Sequence, residues 1–427
     1  MAKLPLTGIR VIDFSHVWSG PYLTKTLGDW GAEVIKVESI ARPDPERGPA
    51  KVRGAREGAI VGGYPKGVPG TEPFNQRGRF VEYNRNKYGI TLDLSTPEGA
   101  KEARALVAVS DAVVENFSVG VMARFGLDYE SLRRVRPDIV MISMPGFGNT
   151  GPESKYVGYG MTQESTSGLS SITGYPGGYP QETGVFYGDP INALFGAVAL
   201  TWALWRRRHT GRGQFIDVSQ REAVSHLVPE VVLTYQMTGR ILESVGNRHP
   251  AMSPHGCYPC AGEDNWLVIS VSSDEMWQAL CEAMGRMDLA QDARLETLLG
   301  RRRHEDELDA TISGWTRRHN HYEAMHLLQS HGVAAEAVAK GAELLEDPHY
   351  KARGYFQMSE VPGAGPYPTH GMSWKLSDTQ GEVRLPSPRL GEHNHLILGE
   401  LLGLPQERIA DLEARRIIGT VPAVDRA

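Results

Sequence analysis

The sequence predicts an α/β fold with a doubly wound, mostly parallel sheet in a large domain and a smaller α+β domain. Two observations lead to this prediction. First, short runs of β-branched residues alternate with segments of helical periodicity along residues 9–218. Second, the chain has 427 residues, which exceeds the size at which a single hydrophobic core stops growing.

The alternation begins with a β-α-β unit. Residues 9–14 (IRVIDF) and 33–37 (EVIKV) are predicted strands, and residues 22–30 between them are a predicted helix. Residues 40–80 are rich in Pro, Gly and Arg and are predicted to form a long insertion. Further strands are predicted at residues 90–94, 112–116, 139–144 and 214–218, and an apolar helix at residues 191–207. Because strands joined through helices run parallel, a helix-covered parallel sheet is expected.

Composition changes near Gly239, and this change sets the predicted domain boundaries. The first part of the large domain is predicted at residues 1–210, a linker at 211–239, the small domain at 240–331, a second linker at 332–370, and a C-terminal part that returns to the large domain at 371–427.

Charge and motif content exclude several classes of protein. The net charge is −6 with both signs mixed along the chain, which argues against nucleic-acid and membrane partners. No apolar run reaches the length of a signal peptide or a membrane span, so a cytoplasmic protein is predicted. The sequence has no GxxxxGK[ST] or HExxH motif and no paired metal-ligand cluster, and it predicts neither a metal site nor a permanently bound cofactor.

Asp189 is the candidate for the chemistry. It lies between Gly188 and Pro190, directly before the predicted helix at residues 191–207. One interpretation is a helix N-cap, because Asp followed by Pro often begins a helix. The other is a nucleophile, since a carboxylate beside glycine is open to attack an electrophile. Both can hold, because a helix N-terminus favours the ionised form that attack requires.

Two other patterns carry less weight. Residues 146–151 (GFGNTG) match GxGxxG after a strand, but Pro152 follows and no helical period succeeds it, which disfavours a dinucleotide-binding enzyme. His16 lies in a tight turn after the first strand with no obvious partner serine. A lone histidine of this kind is interpreted as a hydrogen-bonding turn residue more readily than as a catalyst.

A set of motifs in a fixed order identifies a family. They are LTGIRVIDFSHVWSGP (residues 6–21), AEVIKVE (32–38), NRNKYGITLDLSTPEG (84–99), DAVVENF (111–117), PGFGNTGP (145–152), SGLSSITG (167–174), GD (188–189), TGRGQFIDVS (210–219) and LGEHN (390–394). Through them the sequence resembles the class III CoA-transferase family, the group of formyl-CoA transferase and carnitine CoA-transferase. The resemblance implies an interlocked dimer as the fold.

The resemblance also implies the site. The family's nucleophilic aspartate falls on Asp189. The implied CoA contacts are His16, Val17, Trp18, Ser19, Leu92, Asp93, Asn116, Phe117, Arg124 and Tyr159. Ser39 and Val157 stand where the family pattern has basic residues, which leaves open the groups that hold the CoA phosphates.

The activity that the resemblance implies is transfer of CoA from an acyl-CoA donor to a free carboxylic acid, through aspartyl-anhydride and aspartyl-CoA intermediates. Coenzyme A is then a substrate, and the expected assembly is an interlocked homodimer, with a hetero-oligomer left open. One alternative is a 2-methylacyl-CoA racemase, although Tyr159 stands at the position of the racemase histidine. A second alternative is a non-catalytic CoA-binding subunit of a hetero-oligomer.

Overall fold

The computed structural model describes residues 3–52 and 60–423. Six short strands form its main sheet, and every neighbouring pair is parallel. They are β1 (Arg10–Asp13), β2 (Glu33–Glu38), β3 (Lys87–Thr91), β4 (Ala112–Glu115), β5 (Val140–Ser143) and β6 (Gln214–Asp217). Their order across the sheet is β3-β2-β1-β4-β5-β6, so the direction of winding reverses between β1 and β4.

The chain divides into two compact units. The first unit takes residues 1–169, 182–233 and 351–427, and the second takes residues 170–181 and 234–350. The sequence prediction placed the small domain at residues 240–331 between two linkers. The predicted boundaries of the large domain, the two linkers and the small domain stay a prediction.

Helices cover both faces of the main sheet. In chain order, the helices between residues 19 and 238 are α1 (Ser19–Asp29), α2 (Gly78–Asn84), α3 (Pro97–Ala108), α4 (Val121–Arg124), α5 (Tyr129–Val135), α6 (Gly160–Thr166), α7 (Leu169–Ile172), α8 (Gly188–Thr210), α9 (Gln220–Ser225) and α10 (Pro229–Thr238). The C-terminal segment of the first unit adds a π-helix (His395–Leu401) and α18 (Gln406–Ala414).

Alternate residues of each strand supply two separate cores. Val11 of β1 packs with Leu23 of α1 and Leu200 of α8 on one face of the sheet. Ile12, the next residue, packs with Leu106 of α3 and other buried side chains on the opposite face. Strands buried on both faces read as continuous apolar runs, which is why the sequence pattern identified them. The predicted doubly wound, mostly parallel sheet is confirmed.

The predicted insertion at residues 40–80 contains three short 3₁₀ helices, Pro45–Arg47, Pro65–Gly67 and Pro73–Asn75. Residues 53–59 of the insertion lie outside the described part of the chain. Arg47 anchors its first portion by donating hydrogen bonds of 2.7 to 3.0 Å to the Glu38 carboxylate at the end of β2. This pair is buried and holds the insertion against the carboxyl edge of the sheet.

The segment after residue 390 covers the outer edge of β3. The backbone N–H of Thr91 donates to Asn394 Oδ1 at 2.8 Å, and the N–H of Gly89 donates to His393 Nδ1 at 3.1 Å. Thr91 Oγ1 also donates to the carbonyl of Gly419 at 2.8 Å. A strand edge would otherwise present unpaired N–H groups, so these contacts complete the sheet.

The second unit has its own antiparallel sheet in the order β7-β8-β9. Its strands are β7 (His255–Pro259), β8 (Trp266–Ser270) and β9 (Ala334–Ala337). Its helices are α11 (Asp274–Ala283), α12 (Met287–Ala290), α13 (Leu298–Arg303), α14 (Glu305–Thr316), α15 (His321–Ser330) and α16 (Gly341–Glu346). Trp277, Leu280, Ile312 and Leu328 are fully buried in its core. After α17 (Pro348–Arg353), a hairpin of β10 (Phe356–Val361) and β11 (Gly365–His370) lies in the first unit.

Among the helices of residues 3–52 and 60–423, none combines the length and the apolar character needed to cross a bilayer. The cytoplasmic location stays a prediction.

Candidate active site at the carboxyl edge of the sheet

The site lies where the carboxyl ends of β1 and β4 meet, at the point where the winding of the sheet reverses. In open α/β sheets, ligands bind in the crevice at this switch point. Two hydrogen bonds join the strand ends here. The N–H of His16 donates to Asn116 Oδ1 at 2.9 Å, and Asn116 Nδ2 donates to the His16 carbonyl at 2.8 Å.

A buried ion pair holds the turn after β1 in a strained conformation. Val17 has a φ of +69°, which is costly for a β-branched residue. Its N–H donates to Asp44 Oδ1 at 3.1 Å, and Asp44 pairs with Lys36 Nζ at 3.0 Å, both side chains being fully buried. Lys36 Nζ also donates to the carbonyl of Ser15 at 2.8 Å. The insertion and β2 therefore determine the shape of this turn together.

The side chains of the turn spread in different directions. The His16 ring contacts the edge of the Phe117 ring at 5.3 Å between centroids, and burial lowers the pKa of His16, which keeps the imidazole neutral at pH 7. The Trp18 ring stacks on Tyr83 of α2 at 5.3 Å with 9° between the planes. Ser19 Oγ accepts a hydrogen bond of 3.1 Å from Asn192 Nδ2, which links α1 to α8.

A cavity of about 230 Å³ opens at this point in the first unit. It brings together most of the residues that the resemblance implies: His16, Val17, Ser19, Asn116, Phe117, Tyr159 and Asp189. It is also lined by residues that were not among the predicted contacts: Pro45, Ser118, Met144, Gly146, Val157, Gly158 and Gln220. The functional roles of the named residues stay predictions, and their convergence on one cavity supports them.

Four predicted contact residues lie elsewhere or beside the cavity. Trp18 stacks on Tyr83 and does not line the cavity, although its neighbours Val17 and Ser19 do. Leu92 is fully buried in the core, and Asp93 accepts hydrogen bonds from the N–H and hydroxyl of Ser95 at 3.0 and 2.6 Å. Arg124 is exposed at the end of α4. The structure therefore does not place Leu92, Asp93 or Arg124 against the cavity.

Asp189 is not the N-cap of its helix. The helix begins at Gly188, its N-cap residue is Tyr187, and Asp189 lies in the first turn. The prediction of an N-cap is wrong because the helix already begins at Gly188, before the apolar run that starts at Ile191. The carboxylate is thus free of any capping bond to its own helix and faces the cavity.

The loop before Asp189 is held by Glu164 of α6, which is fully buried. Its carboxylate accepts hydrogen bonds from the N–H of Tyr187 at 2.7 Å and from the N–H and hydroxyl of Thr183 at 3.0 and 2.9 Å. Phe186, between them, has a φ of +58°, another strained conformation. Glu164 therefore binds, from another helix, the N–H of the N-cap residue Tyr187.

Close packing at Gly160 fixes the other side of the carboxylate. A Cβ added to Gly160 would lie 2.7 Å from Asp189 Oδ2 and 2.6 Å from Phe186 Cβ. Both distances are shorter than any ordinary contact, so only glycine fits at this position while Asp189 keeps its place.

Burial raises the pKa of Asp189 to about 6. The side-chain amide of Gln220, the backbone N–H of Ser19 and the charge of Arg79 act in the opposite direction, and Glu46 adds to the increase. The carboxylate is therefore mostly ionised at pH 7 while being less hydrated than a surface carboxylate. This combination suits a nucleophile.

The sequence contained signals for some of the unnamed lining residues. Gly146 belongs to the motif PGFGNTGP, and Gln220 follows TGRGQFIDVS directly, at the carboxyl end of β6. Pro45 and Glu46 lie in the insertion, where no periodicity predicts position. Their approach to Asp189 depends on the fold of the whole unit.

Known proteins resemble the chain over nearly its whole length. The model of CoA-transferase family III matches residues 6–394. A succinyl-CoA–D-citramalate CoA-transferase of Chloroflexus aurantiacus is 35% identical over 97% of this chain and 98% of its own. A succinate–glutarate CoA-transferase of Agrobacterium fabrum is 34% identical over 93% of this chain and 96% of its own.

A solved structure supports the same assignment. The crystal structure of a CaiB/BaiF family protein from Brucella suis has a TM-score of 0.82 and 31% sequence identity, and covers 94% of this chain and 100% of its own. The chain therefore belongs to CoA-transferase family III, as its motifs predict, and is an enzyme of the CoA-transferase class.

Proposed function

We propose that the protein transfers CoA from an acyl-CoA donor to a free carboxylic acid through covalent intermediates on Asp189. The observation that carries the proposal is the placement of the Asp189 carboxylate in one cavity with the turn after β1 and with Asn116. The resemblance assigns CoA contacts to that turn and to Asn116.

In the first half-reaction, the ionised Asp189 carboxylate attacks the thioester carbonyl of the donor. The carbon–sulfur bond breaks, CoA leaves as a thiolate, and a mixed aspartyl-acyl anhydride remains. The thiolate then attacks the aspartyl carbonyl of the anhydride. The donor acid leaves as a carboxylate, and Asp189 carries CoA as a thioester.

The second half-reaction repeats these steps in reverse order. The carboxylate of the acceptor attacks the carbonyl of the aspartyl thioester, and the carbon–sulfur bond breaks. CoA leaves as a thiolate, and a new anhydride joins Asp189 to the acceptor. The thiolate attacks the acceptor's carbonyl, giving the product acyl-CoA and the free Asp189 carboxylate. No net proton is consumed, and a thiol of pKa about 8.5 is a competent leaving group.

The site supports this chemistry in two ways. The carboxylate is ionised at pH 7 and partly withdrawn from water, which raises its nucleophilicity. The N–H of Ser19 and the amide of Gln220 lie beside it and are the donors available to stabilise negative charge on a tetrahedral intermediate.

The two alternatives are less well supported. A 2-methylacyl-CoA racemase needs two groups that exchange protons at the α-carbon. Tyr159 stands at the position of the racemase histidine, and a phenol does not take up a proton at neutral pH as an imidazole does. A non-catalytic subunit would not need the carboxylate in the cavity. Some relatives are named as α and β subunits of succinyl-CoA–L-malate CoA-transferases, at 30 to 32% identity.

The assembly implied by the resemblance is an interlocked homodimer, which we include in the proposal. An apolar face of α8 supports it, because four side chains spaced along this helix are exposed in the single chain. They are Leu194, Val198, Trp202 and Trp205. Burial of such a face by a second copy would remove a large apolar surface from water.

The test is chemical trapping of the Asp189 intermediate. The protein is incubated with a panel of CoA thioesters and quenched with hydroxylamine, and the peptide that carries Asp189 is examined by mass spectrometry. A hydroxamate on Asp189 that is absent in Asp189→Ala is the expected result. An unmodified Asp189 across the panel, together with exchange of the α-proton into solvent, would replace the transferase with the racemase.

A further inference from the structure

Arg79 lies beside the cavity, although the mechanism above does not use it. It is in the first turn of α2, one helical turn before Tyr83, so both side chains lie on the same face of the helix. Tyr83 stacks on Trp18, the residue before Ser19, which lines the cavity. This face of α2 therefore packs against the turn after β1, which lines the cavity together with Asp189.

A second contact places Arg79 at the same point. Pro45 lines the cavity, and Glu46 follows it in the 3₁₀ helix Pro45–Arg47. Arg79 Nη1 lies 3.8 Å from Glu46 Oε1. The electrostatic effects agree with this position, since the charge of Arg79 lowers the pKa of Asp189 and the charge of Glu46 raises it.

Arg79 has unused hydrogen-bonding capacity. Its side chain is 55% exposed, and its distance from Glu46 is longer than a hydrogen bond. Within the described residues, the guanidinium makes no hydrogen bond. Arg47 and Arg85, by contrast, are buried and bind the Glu38 and Asp29 carboxylates at 2.7 Å. A guanidinium has five N–H donors arranged to bind a carboxylate with two parallel bonds.

We propose that Arg79 binds the remote carboxylate of a dicarboxylic substrate, so that the acyl groups exchanged on Asp189 carry a second, free carboxylate. Without a cation, that second carboxylate would be repelled by Asp189 and Glu46. Arg79 offsets this repulsion and orients the substrate with its reacting end toward Asp189. This inference rests on the proposed transfer function and adds the class of substrate.

The substrates after which relatives are named agree with this class. The names given above refer to succinate, glutarate, citramalate and malate, all of which have two carboxylates. Arg79 supplies a physical reason for the same preference in this chain. A monocarboxylic acyl group of equal length would gain nothing from the guanidinium.

The experiment compares two donors of equal chain length, succinyl-CoA and butyryl-CoA, in the intact protein and in Arg79→Gln and Arg79→Lys. The control is Arg133→Gln, since Arg133 is 53% exposed and lies 3.5 Å from Glu130 on α5, away from the cavity. The initial rate of Asp189 hydroxamate formation gives kcat/KM for each donor, and thermal unfolding checks that every variant folds.

The unmodified protein is expected to prefer succinyl-CoA. In Arg79→Gln, the preference should fall roughly 10- to 100-fold through loss of succinyl-CoA turnover alone, because a charge-assisted bidentate interaction is lost. Arg79→Lys should retain part of the preference for succinyl-CoA, and Arg133→Gln should retain all of it. An equal loss for both donors, or no preference in the unmodified protein, would overturn the role of Arg79 while leaving the transferase intact. Absence of a hydroxamate with every donor would overturn both.

Discussion

At Asp189, the helix and the burial of the carboxylate shift its pKa in opposite directions. The dipole of α8 favours an anion at its N-terminal end, and desolvation disfavours it. Burial has the larger effect, and the pKa rises to about 6. The side chain is thus a poorly hydrated carboxylate anion at neutral pH, and it becomes protonated under mildly acidic conditions.

The rate of transfer should therefore have an acidic limb near pH 6. In the proposed mechanism the ionised form is the nucleophile, and its fraction falls from about nine-tenths at pH 7 to about one-tenth at pH 5, given a pKa of about 6. We expect kcat/KM to fall about tenfold from pH 7 to pH 5, as measured by initial rates of acyl-CoA formation between pH 5 and 8.

The control for this profile is His16→Gln, because His16 lies in the same cavity and ordinarily titrates in this range. Burial lowers the pKa of His16, so its removal should leave the position of the limb unchanged. A limb that disappears in His16→Gln, or a rate that stays constant down to pH 5, would contradict the assignment to Asp189.

Asp189 could be identified from the sequence as a candidate for the chemistry, but the residues that surround it could not. The Gly188-Asp189 pair and the motifs around it are contiguous in the chain, so pattern recognition reaches them. The approach of Glu46 and Arg79 to Asp189 joins segments more than a hundred residues apart, and it depends on the insertion folding over the sheet. No local periodicity records such a contact.

One short helix, α6, holds the Asp189 carboxylate in place through two of its residues. Gly160, at its start, is packed against the Asp189 carboxylate, and Glu164, one turn later, holds the loop that leads to it. The spacing of four residues places both on the same face of the helix. The start of α8 was predicted three residues too late, because its stabilising acceptor, Glu164, is on another helix.

Gly160→Ala should reduce transfer about tenfold or more. The new methyl group would displace Asp189 Oδ2 or Phe186, at the modest cost in stability that is typical of overpacking. The matched control is Gly341→Ala, since Gly341 also begins a helix but has no atom within 4 Å of an added Cβ. Steady-state rates and thermal unfolding of both variants measure the effect, and equal rates in the two would contradict the positioning role of α6.

On the scale of the whole molecule, the chain leaves the first unit and returns to it. The first unit is assembled from three separate segments and the second from two. The alternation of strands and helices was readable from the sequence, but the strand order was not, since order depends on which strands pair across the sheet. The coverage of β3 by residues 393 and 394 is likewise a contact between segments about 300 residues apart.

Asn394→Ala should destabilise the first unit by about 1 to 3 kcal/mol, because the buried N–H of Thr91 would lose its acceptor. The neighbouring His395→Ala is the control, since its side chain is 57% exposed and its ion pair with Glu413 contributes little. Urea unfolding gives the stability difference, and amide exchange of Thr91 localises it. A similar loss in both variants would show that the edge contact is not responsible.

The covering of β3 also determines when the sheet can be completed during synthesis of the chain. As the ribosome releases the chain, the strand pairs and the Asp189 loop are available long before Asn394 and Gly419 have been synthesised. The edge of β3 therefore stays open in every nascent chain that ends before those residues. Completion of the sheet therefore waits until Asn394 and Gly419 have been synthesised, and a product that ends before them leaves the edge of β3 open to pairing with other chains.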